Sequence, residues 1–360
     1  MPFPWPARSA TGVGSMPGTD AAETLAVVLG ELPDLPFLPE LPGRGPGADM
    51  IGRTAALLVD MPVETTATGW RLAERRGRDL GRAGGLLEAD LDALEAAAAG
   101  YAGAFKIQLC GPWTLATSLA LTHSMEPALA DAGAVADLAS SLAEGAAAHA
   151  ADVLRRVPGA ELIVQFDEPL LPGVLAGSVP TASGLRRVPA VDEPLAADRL
   201  RSVLEPTQAP AIIHCCAADV PWSVIAASGA RGVSFDLALV RRDDEDAIGE
   251  IAEAGLGCAI GAVPATETGS ANPASANPAS ASPASARPRS ARPVGPEEHA
   301  TAVIRLWDRI GLPLSGLSEQ IVITPACGLA GVSPARAREV LAHCQEVARL
   351  LPEMIEEGVR

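Results

Sequence analysis

Lysine is almost missing from this sequence, since Lys106 is the only lysine among 27 basic residues. Acidic residues number 44, which leaves a formal net charge of −17 at pH 7. A surface with this excess of negative charge repels phosphate backbones. We therefore expect no nucleic-acid partner.

Long hydrophobic runs are missing as well. No apolar stretch reaches the roughly 18 residues that a membrane span needs, and the N-terminal "MPFPWPARSATG" lacks the apolar core of a signal peptide. Cysteine is sparse too, because six cysteines in 360 residues are too few for the disulfide framework of a secreted protein. The sequence therefore predicts a cytoplasmic protein with no membrane partner.

The sequence does contain a regular alternation of short apolar runs and helix-like segments. Hydrophobic residues make up 48% of the chain, which is enough for a packed core. Eight runs are typical of buried parallel strands: 11–17, 35–41, 105–112, 161–169, 210–216, 232–239, 256–263 and 319–328. This count predicts an α/β fold, a (β/α)8 TIM barrel, in which residues 1–360 form a single domain. No Gly-x-Gly-x-x-Gly follows the first run, which argues against a dinucleotide-binding sheet.

One segment differs in composition from the rest. Residues 267–295 are dominated by a repeated five-residue unit in "ANPASANPASASPASARPRSARPV" and have almost no apolar bulk. Proline also removes the backbone donors that a helix or strand would use. We predict a low-complexity disordered loop within the domain, either an insertion without function or a mobile lid.

The reactive side chains cluster at the predicted C-terminal ends of the strands, where barrels of this type carry their active sites. These residues are Ser15, Glu40, Asp167, Glu168, His214, Cys216, Asp236 and Cys327. Eight separate loops would not often place such residues on one rim by chance. The sequence therefore predicts an active site at this rim.

His214 and Cys216 are two residues apart, so on a strand they point to the same face, whereas Cys215 points away. Cys327 and Asp236 would add a second sulfur and an oxygen. One nitrogen, two sulfurs and one oxygen suit a tetrahedral Zn²⁺ site. The alternative is that these are buried polar residues that only close the barrel.

Several motifs, in order along the chain, resemble those of a known family. They are "GSMP" (14–17), "PELPGRGPGADMIG" (39–52), "QLCGPWTLA" (108–116), "VQFDEPLL" (164–171), "HCC" (214–216) and "TPACGL" (324–329). Together they resemble the catalytic domain of cobalamin-independent methionine synthase, in a short single-barrel form. That family lies in a superfamily with the uroporphyrinogen decarboxylases, which lack the zinc residues.

The resemblance implies a zinc-dependent methyltransferase that converts homocysteine to methionine. It implies that His214, Cys216 and Cys327 bind the zinc, with Asp236 in the place of a glutamate ligand that is one methylene longer. Two further roles are implied by the resemblance or by the chemistry of the side chains. Ser15, Glu40, Asp167 and Glu168 would bind the substrate, and Glu40 and Asp167 would act catalytically by pairing with its ammonium group. The alternatives are a solvated loop carboxylate for Glu40, and a structural carboxylate that caps a neighbouring loop for Asp167 and Glu168.

The sequence departs from the family in two respects. The family has a histidine after the seventh strand, where this chain reads "AIGAVPAT" (259–266). Its larger members also have an N-terminal barrel that binds a polyglutamylated folate, and we expect none here. The methyl donor therefore stays open between methylcobalamin, with a possible corrinoid-protein partner, and methyltetrahydrofolate. Two other functions remain: a zinc methyltransferase acting on another thiol, such as coenzyme M, or a non-catalytic protein that binds zinc and a thiol.

Overall fold

The computed structural model describes residues 3–266 and 294–359. Its strands, in chain order, are β1 (Val63–Thr66), β2 (Gly69–Leu72), β3 (Ala102–Cys110), β4 (Leu119–Ala120), β5 (Gly159–Asp167), β6 (Ala211–Cys215), β7 (Gly232–Asp236), β8 (Gly257–Val263) and β9 (Ile321–Pro325). Six of them form a parallel sheet in the order β3-β5-β6-β7-β8-β9. Of the predicted disordered loop (267–295), residues 267–293 lie outside the described residues.

The helices lie between these strands. They are α1 (Ala21–Glu31), α2 (Met50–Ala55), α3 (Arg78–Ala97), α4 (Pro112–Ser118), α5 (Ala132–Arg156), α6 (Leu171–Leu175), α7 (Glu193–Leu204), α8 (Trp222–Ala227), α9 (Arg242–Glu253), α10 (Pro296–Arg309), α11 (Leu317–Gln320) and α12 (Pro334–Glu356). Several begin at side-chain caps, which satisfy backbone donors that a helix start leaves free. Asp49, for example, accepts from the N–H groups of Ile51 and Gly52 at the start of α2.

Two short segments close the curled sheet into a barrel. Parallel bridges join Ala10 to Ile323 of β9, Ser15 to Glu40, and Phe37 to Lys106 of β3. The first two predicted strands therefore occupy the expected positions, but as isolated bridges. In the second, Pro36 and Pro39 have no N–H to donate, so a continuous ladder cannot form there. The predicted (β/α)8 fold is confirmed.

The insertion between the second and third barrel segments adds a small sheet. β1 and β2 form an antiparallel hairpin, and β2 pairs in parallel with β4. α3 follows the hairpin and packs against α1 and α5. This extra layer covers one side of the barrel near the segment that carries Glu40.

The N-terminal end of the barrel is closed by an apolar floor. Trp5 packs there with one small set of inward-facing side chains: Leu35, Ala104, Ile163, Ile212, Ala259 and Val322. The space for the indole exists because Gly257 has no side chain, and a Cβ there would come within 2.3 Å of the ring. Polar chemistry is therefore confined to the layers above this floor. No helix of the described residues is long and apolar enough to cross a membrane.

Candidate active site at the C-terminal ends of the strands

The strand register brings the predicted site residues together. Asp167, the last residue of β5, lies beside His214 of β6, and His214 lies beside Ser234 of β7. Asp236 ends β7, and Cys327 follows two residues after the end of β9. The parallel strands thus deliver these side chains to one end of the barrel, as predicted.

Two cysteines that are 111 residues apart in sequence meet at this end. The Sγ atoms of Cys216 and Cys327 are 3.5 Å apart and share a hydrogen bond. That bond from Cys216 holds the pKa of the Cys327 thiol well below its usual range, with further support from His214 and the Gly328 N–H. Cys215 is fully buried, and burial raises the pKa of its thiol to about 12. The two thiols at the barrel end are therefore Cys216 and Cys327, with Cys215 in the packing behind them.

His214 is oriented by a residue that the sequence reasoning missed. Its Nδ1 lies 2.8 Å from the Oγ of Ser234, and both side chains are buried. This contact leaves Nε2 as the ring nitrogen not engaged by Ser234, and the side chain of His214 also hydrogen-bonds Cys327. Ser234 could have been found, because it stands two residues before Asp236 on the same face of β7.

The donor set fits zinc in its chemistry. Two sulfurs bound tetrahedrally to one zinc ion at 2.3 Å would lie about 3.8 Å apart, close to the 3.5 Å between Cys216 and Cys327. A second contact that orients a ligating histidine, such as that of Ser234, is usual at metal sites. In the described part of the chain, however, no three metal-binding side chains surround one point closely enough to hold an ion as they stand. A bound ion would have to replace the proton that the two sulfurs share.

Asp236 lies at the edge of this cluster and is only half-buried. Its Oδ1 accepts a hydrogen bond of 2.9 Å from the N–H of Ala238, which begins a short helical turn. Burial raises the pKa of Asp236, and the negative charge of Cys327 adds to that rise. One carboxylate oxygen therefore caps the turn, and among the described residues the other accepts no hydrogen bond.

Glu40 is a buried acid with an unsatisfied oxygen. Its Oε1 finds no hydrogen-bond partner among residues 3–266 and 294–359, although the residue is only 3% exposed. Burial raises the pKa of Glu40 to about 7; Arg53 and Lys106 oppose the rise, and Asp167 adds to it. A buried orphan oxygen is costly unless a ligand or water satisfies it. This observation excludes the alternative that Glu40 is a solvated loop carboxylate.

Asp167 is also buried, and burial raises its pKa. Its Oδ1 accepts a 2.7 Å hydrogen bond from Nε2 of Gln165, which also donates to the carbonyl of Val13 at 2.8 Å. Ser15 lies across the barrel end, so close to the Cys327 loop that a Cβ on Gly328 would be 2.1 Å from its Oγ. Ser15, Glu40 and Asp167 therefore line the same end of the barrel as the two thiols.

Glu168 has a different environment. Its carboxylate accepts hydrogen bonds from the N–H groups of Trp113 and Thr114 at 2.9 and 2.8 Å, and from the Thr114 hydroxyl at 2.7 Å. These donors belong to the first turn of α4, so Glu168 fastens that helix to the end of β5. The arrangement matches the alternative of a structural carboxylate, and a substrate contact for Glu168 stays a prediction.

The interior of the barrel holds further polar residues that the motifs did not single out. Lys106 and Gln108 of β3 and Gln165 of β5 are all buried between the apolar floor and the site. Their signal in the sequence is a polar residue at every second position of an otherwise apolar strand. Lys106 donates to Gln108, Gln165 donates to Asp167, and Lys106 and Gln165 share the carbonyl of Val13 as an acceptor.

Comparison with known proteins gives a likeness in fold. No family model matches the sequence, and the search of curated proteins finds no match. Among solved structures, the chain resembles a B12-independent methionine synthase from Shewanella sp. W3-18-1, solved in complex with selenomethionine. The TM-score is 0.63 over 98% of this chain and 100% of that one, with 12% sequence identity. At that identity the likeness shows the fold. The chain thus has the barrel fold of a methionine synthase.

Proposed function

We propose that this protein is a zinc-dependent methyltransferase that transfers a methyl group to the thiol of homocysteine and so forms methionine. The observation that carries the proposal is the meeting of two groups at one barrel end. Cys216, Cys327 and His214 form the first group, and the buried acids Glu40 and Asp167 form the second. Homocysteine carries the two functional groups that such a site would recognise, a thiol and an ammonium.

The thiol end would be bound through zinc, held by His214, Cys216 and Cys327, with Asp236 as the fourth candidate ligand. Zinc supplies a lowered pKa for a bound thiol, which makes the sulfur a nucleophile at neutral pH. The protein's own contribution is orientation. Ser234 fixes the ring of His214, and the Gly328 N–H stabilises negative charge on Cys327.

The amino acid end would be bound by the buried carboxylates. The orphan Oε1 of Glu40 is an acceptor for an ammonium, and Asp167 offers a second one. Ser15 would contact the same part of the substrate, and Glu168 would act by holding α4 against β5. These acids also argue against coenzyme M as the thiol substrate, because they would repel its anionic sulfonate group. An amino acid thiol is the better fit.

An experiment can distinguish the two candidate methyl donors. We would incubate the zinc-loaded protein with L-homocysteine and either methylcobalamin or methyltetrahydrofolate, and quantify methionine. Methionine formation with either donor supports the proposal and identifies the donor. A requirement for a separate corrinoid protein would appear as turnover only when methylcobalamin is presented on such a protein. Absence of methionine in every arm contradicts the proposed reaction.

The metal site is tested through the cysteines. We expect Cys216→Ser and Cys327→Ser each to lose most of the bound zinc, because oxygen is a weaker zinc ligand than thiolate. Cys215→Ser is the matched control: it changes the neighbouring residue, whose side chain lies in the packing. Zinc per protein chain, measured by atomic emission, should fall only in the first two variants. Full zinc content in both of them would refute the assigned ligands.

A second candidate function is binding of zinc and a thiol without turnover. One observation favours it: the end of β8 is apolar. Ala262 and Val263 lie there, near the position at which the methionine synthase family has a histidine. The two functions differ in the donor experiment. Tight binding of homocysteine without methionine formation would favour the binding protein.

A further inference from the structure

The only lysine of the chain is buried inside the barrel. Lys106, on β3, is 1% exposed and lies one layer above the apolar floor. Burying an ammonium costs several kcal/mol unless other groups compensate it. Because the remaining 26 basic residues are arginines, this position is the single place where the chain uses a compact cation.

The ammonium of Lys106 is held by neutral acceptors. Its Nζ donates to the carbonyl of Val13 at 3.0 Å and to Oε1 of Gln108 at 3.3 Å, and it lies 5.3 Å from the centre of the Phe37 ring. Within the described residues, no carboxylate comes within ion-pair distance of Nζ. Its charge therefore acts through space on the two nearest acids, Glu40 and Asp167.

Hydrogen bonds also connect the lysine to both acids. Lysine can only donate, so the contact with Lys106 fixes the oxygen of the Gln108 amide and turns its NH2 group away. That NH2 group donates to the carbonyl of Leu38 at 2.7 Å and interacts with Glu40. On the other side, the Val13 carbonyl accepts from both Lys106 and Gln165, and Gln165 donates to Asp167. Lys106 is thus the centre of a chain from one acid to the other.

We propose that Lys106 is a positioning residue that orients the Gln108 amide toward Glu40 and supplies the positive charge that keeps Glu40 ionised for a substrate ammonium. The inference rests on the proposed function, in which Glu40 receives the amino group of an amino acid thiol. The inference also restricts the class of substrate, because the ligand must carry a positively charged group. With both acids ionised, Glu40, Asp167 and Lys106 together carry a charge of −1, which one ammonium neutralises.

The charged groups around Glu40 are consistent with this role. Arg53 and Lys106 favour its ionised form, whereas burial and Asp167 oppose it, and its pKa is about 7. Arg53 is already paired with Asp90. Burial lowers the pKa of Lys106 to about 8, which leaves it mostly protonated at neutral pH. Removal of the Lys106 charge would therefore shift the ionisation of Glu40 to higher pH.

The test measures ligand affinity against pH for the full-length protein and its Lys106→Met variant. Methionine has a similar length and no charge, so the variant keeps the packing and removes the ammonium. The probes are L-methionine and its analogue without the amino group, 4-(methylsulfanyl)butanoate, titrated by calorimetry from pH 6 to pH 9. We expect about a fivefold loss of L-methionine affinity at pH 7, because a rise of about one pKa unit from about 7 lowers the ionised fraction of Glu40 from about one half to about one tenth, with recovery toward pH 9. The analogue should bind both proteins within about twofold.

Each other outcome overturns the inference. Equal losses for both probes would show a purely structural role, and an unchanged pH profile would show that Lys106 does not act on Glu40. If thermal unfolding shows that Lys106→Met does not fold, Gln108→Met, which removes the oriented amide and keeps the lysine charge, must give a smaller loss that is still selective for L-methionine. Failure of the unmodified protein to bind L-methionine would remove the proposed function as well. Binding of L-methionine without any Lys106 effect would leave that function standing.

Discussion

At the scale of single residues, the proposed function makes Glu40 the side chain whose ionisation should most affect substrate binding. An ammonium binds the carboxylate and not the carboxylic acid, so the KM for homocysteine should fall as pH rises through about 7, the pKa of Glu40. In Glu40→Gln we expect KM at pH 8 to rise about tenfold or more, since a charge-assisted hydrogen bond contributes about 1.5–3 kcal/mol. The part of the pH dependence that Glu40 causes should also disappear.

The measurement is KM for homocysteine from pH 6 to pH 9 in both proteins. Glu161→Gln is the matched control, because Glu161 is an exposed carboxylate at the start of β5. Its KM should stay within the error of the unmodified protein. A Glu40→Gln variant that keeps both the KM and its pH profile would show that Glu40 does not touch the substrate.

Asp236 presents a second question at this scale, because one of its oxygens already caps a turn. If the other oxygen binds zinc, Asp236→Asn should weaken zinc binding by about tenfold to 100-fold, the range seen when groups that support metal ligands are changed. This loss is smaller than that expected for Cys216→Ser. Competition with a chromophoric chelator measures the affinity, and exposed Asp198→Asn serves as the control. Unchanged affinity would assign Asp236 to the turn alone.

At the scale of elements, Glu168 connects the end of β5 to the start of α4. Three hydrogen bonds converge on its carboxylate, and two come from backbone N–H groups that a helix start leaves free. Glu168→Ala would leave these donors buried and unpaired. We expect a loss of about 2–4 kcal/mol in the free energy of unfolding, measured by urea titration. Glu161→Ala, on the same strand but exposed, should change it by less than about 0.5 kcal/mol; a similar loss in both variants would contradict the capping role.

The elements also show what the sequence could predict. Parallel strands that are buried on both faces leave a continuous apolar run, so the six strands of the main sheet were all recognisable. The first two barrel segments were placed correctly but not as ladders, because prolines and the loops of the insertion limit them to single bridges. Cys216 and Cys327 were predicted to meet because strand ends of a parallel barrel share one rim.

Other parts of the site were not predictable in the same way. The cap that Glu168 forms depends on the tilt of α4 against β5. The pattern of apolar and polar residues does not predict that angle. Lys106, Gln108 and Ser234 alternate with apolar residues, which shows their face but not their partners. The bond from Ser234 to His214 follows only from the register of β6 and β7. Register between strands that are 20 residues apart is fixed by packing of the whole barrel.

At the scale of the whole molecule, buried titratable groups make the stability of the barrel depend on pH in two opposite directions. Glu40 and Glu168 each have a pKa of about 7 against an ordinary value of 4.5, so their folded forms bind more protons between these limits. Their contribution to stability is present below 4.5 and is lost as pH rises to about 7. His149 of α5 acts in the other direction: burial lowers its pKa from 6.5 to about 3, with the positive charge of Arg53 in support.

The contribution of His149 can be isolated by difference. Because the unfolded chain takes up a proton below pH 6.5 and the folded chain does not, His149 costs about 1.4 kcal/mol of stability for each pH unit below that value. His149→Gln removes this cost. The free energy of unfolding of the variant, relative to that of the unmodified protein, should therefore rise steadily as the pH falls from 6.5 to 5. Urea unfolding with a chelator present, which removes any effect of zinc, measures the difference at each pH. Exposed His123→Gln should show no such trend; a constant difference for His149→Gln would mean that the folded barrel admits the proton at this position.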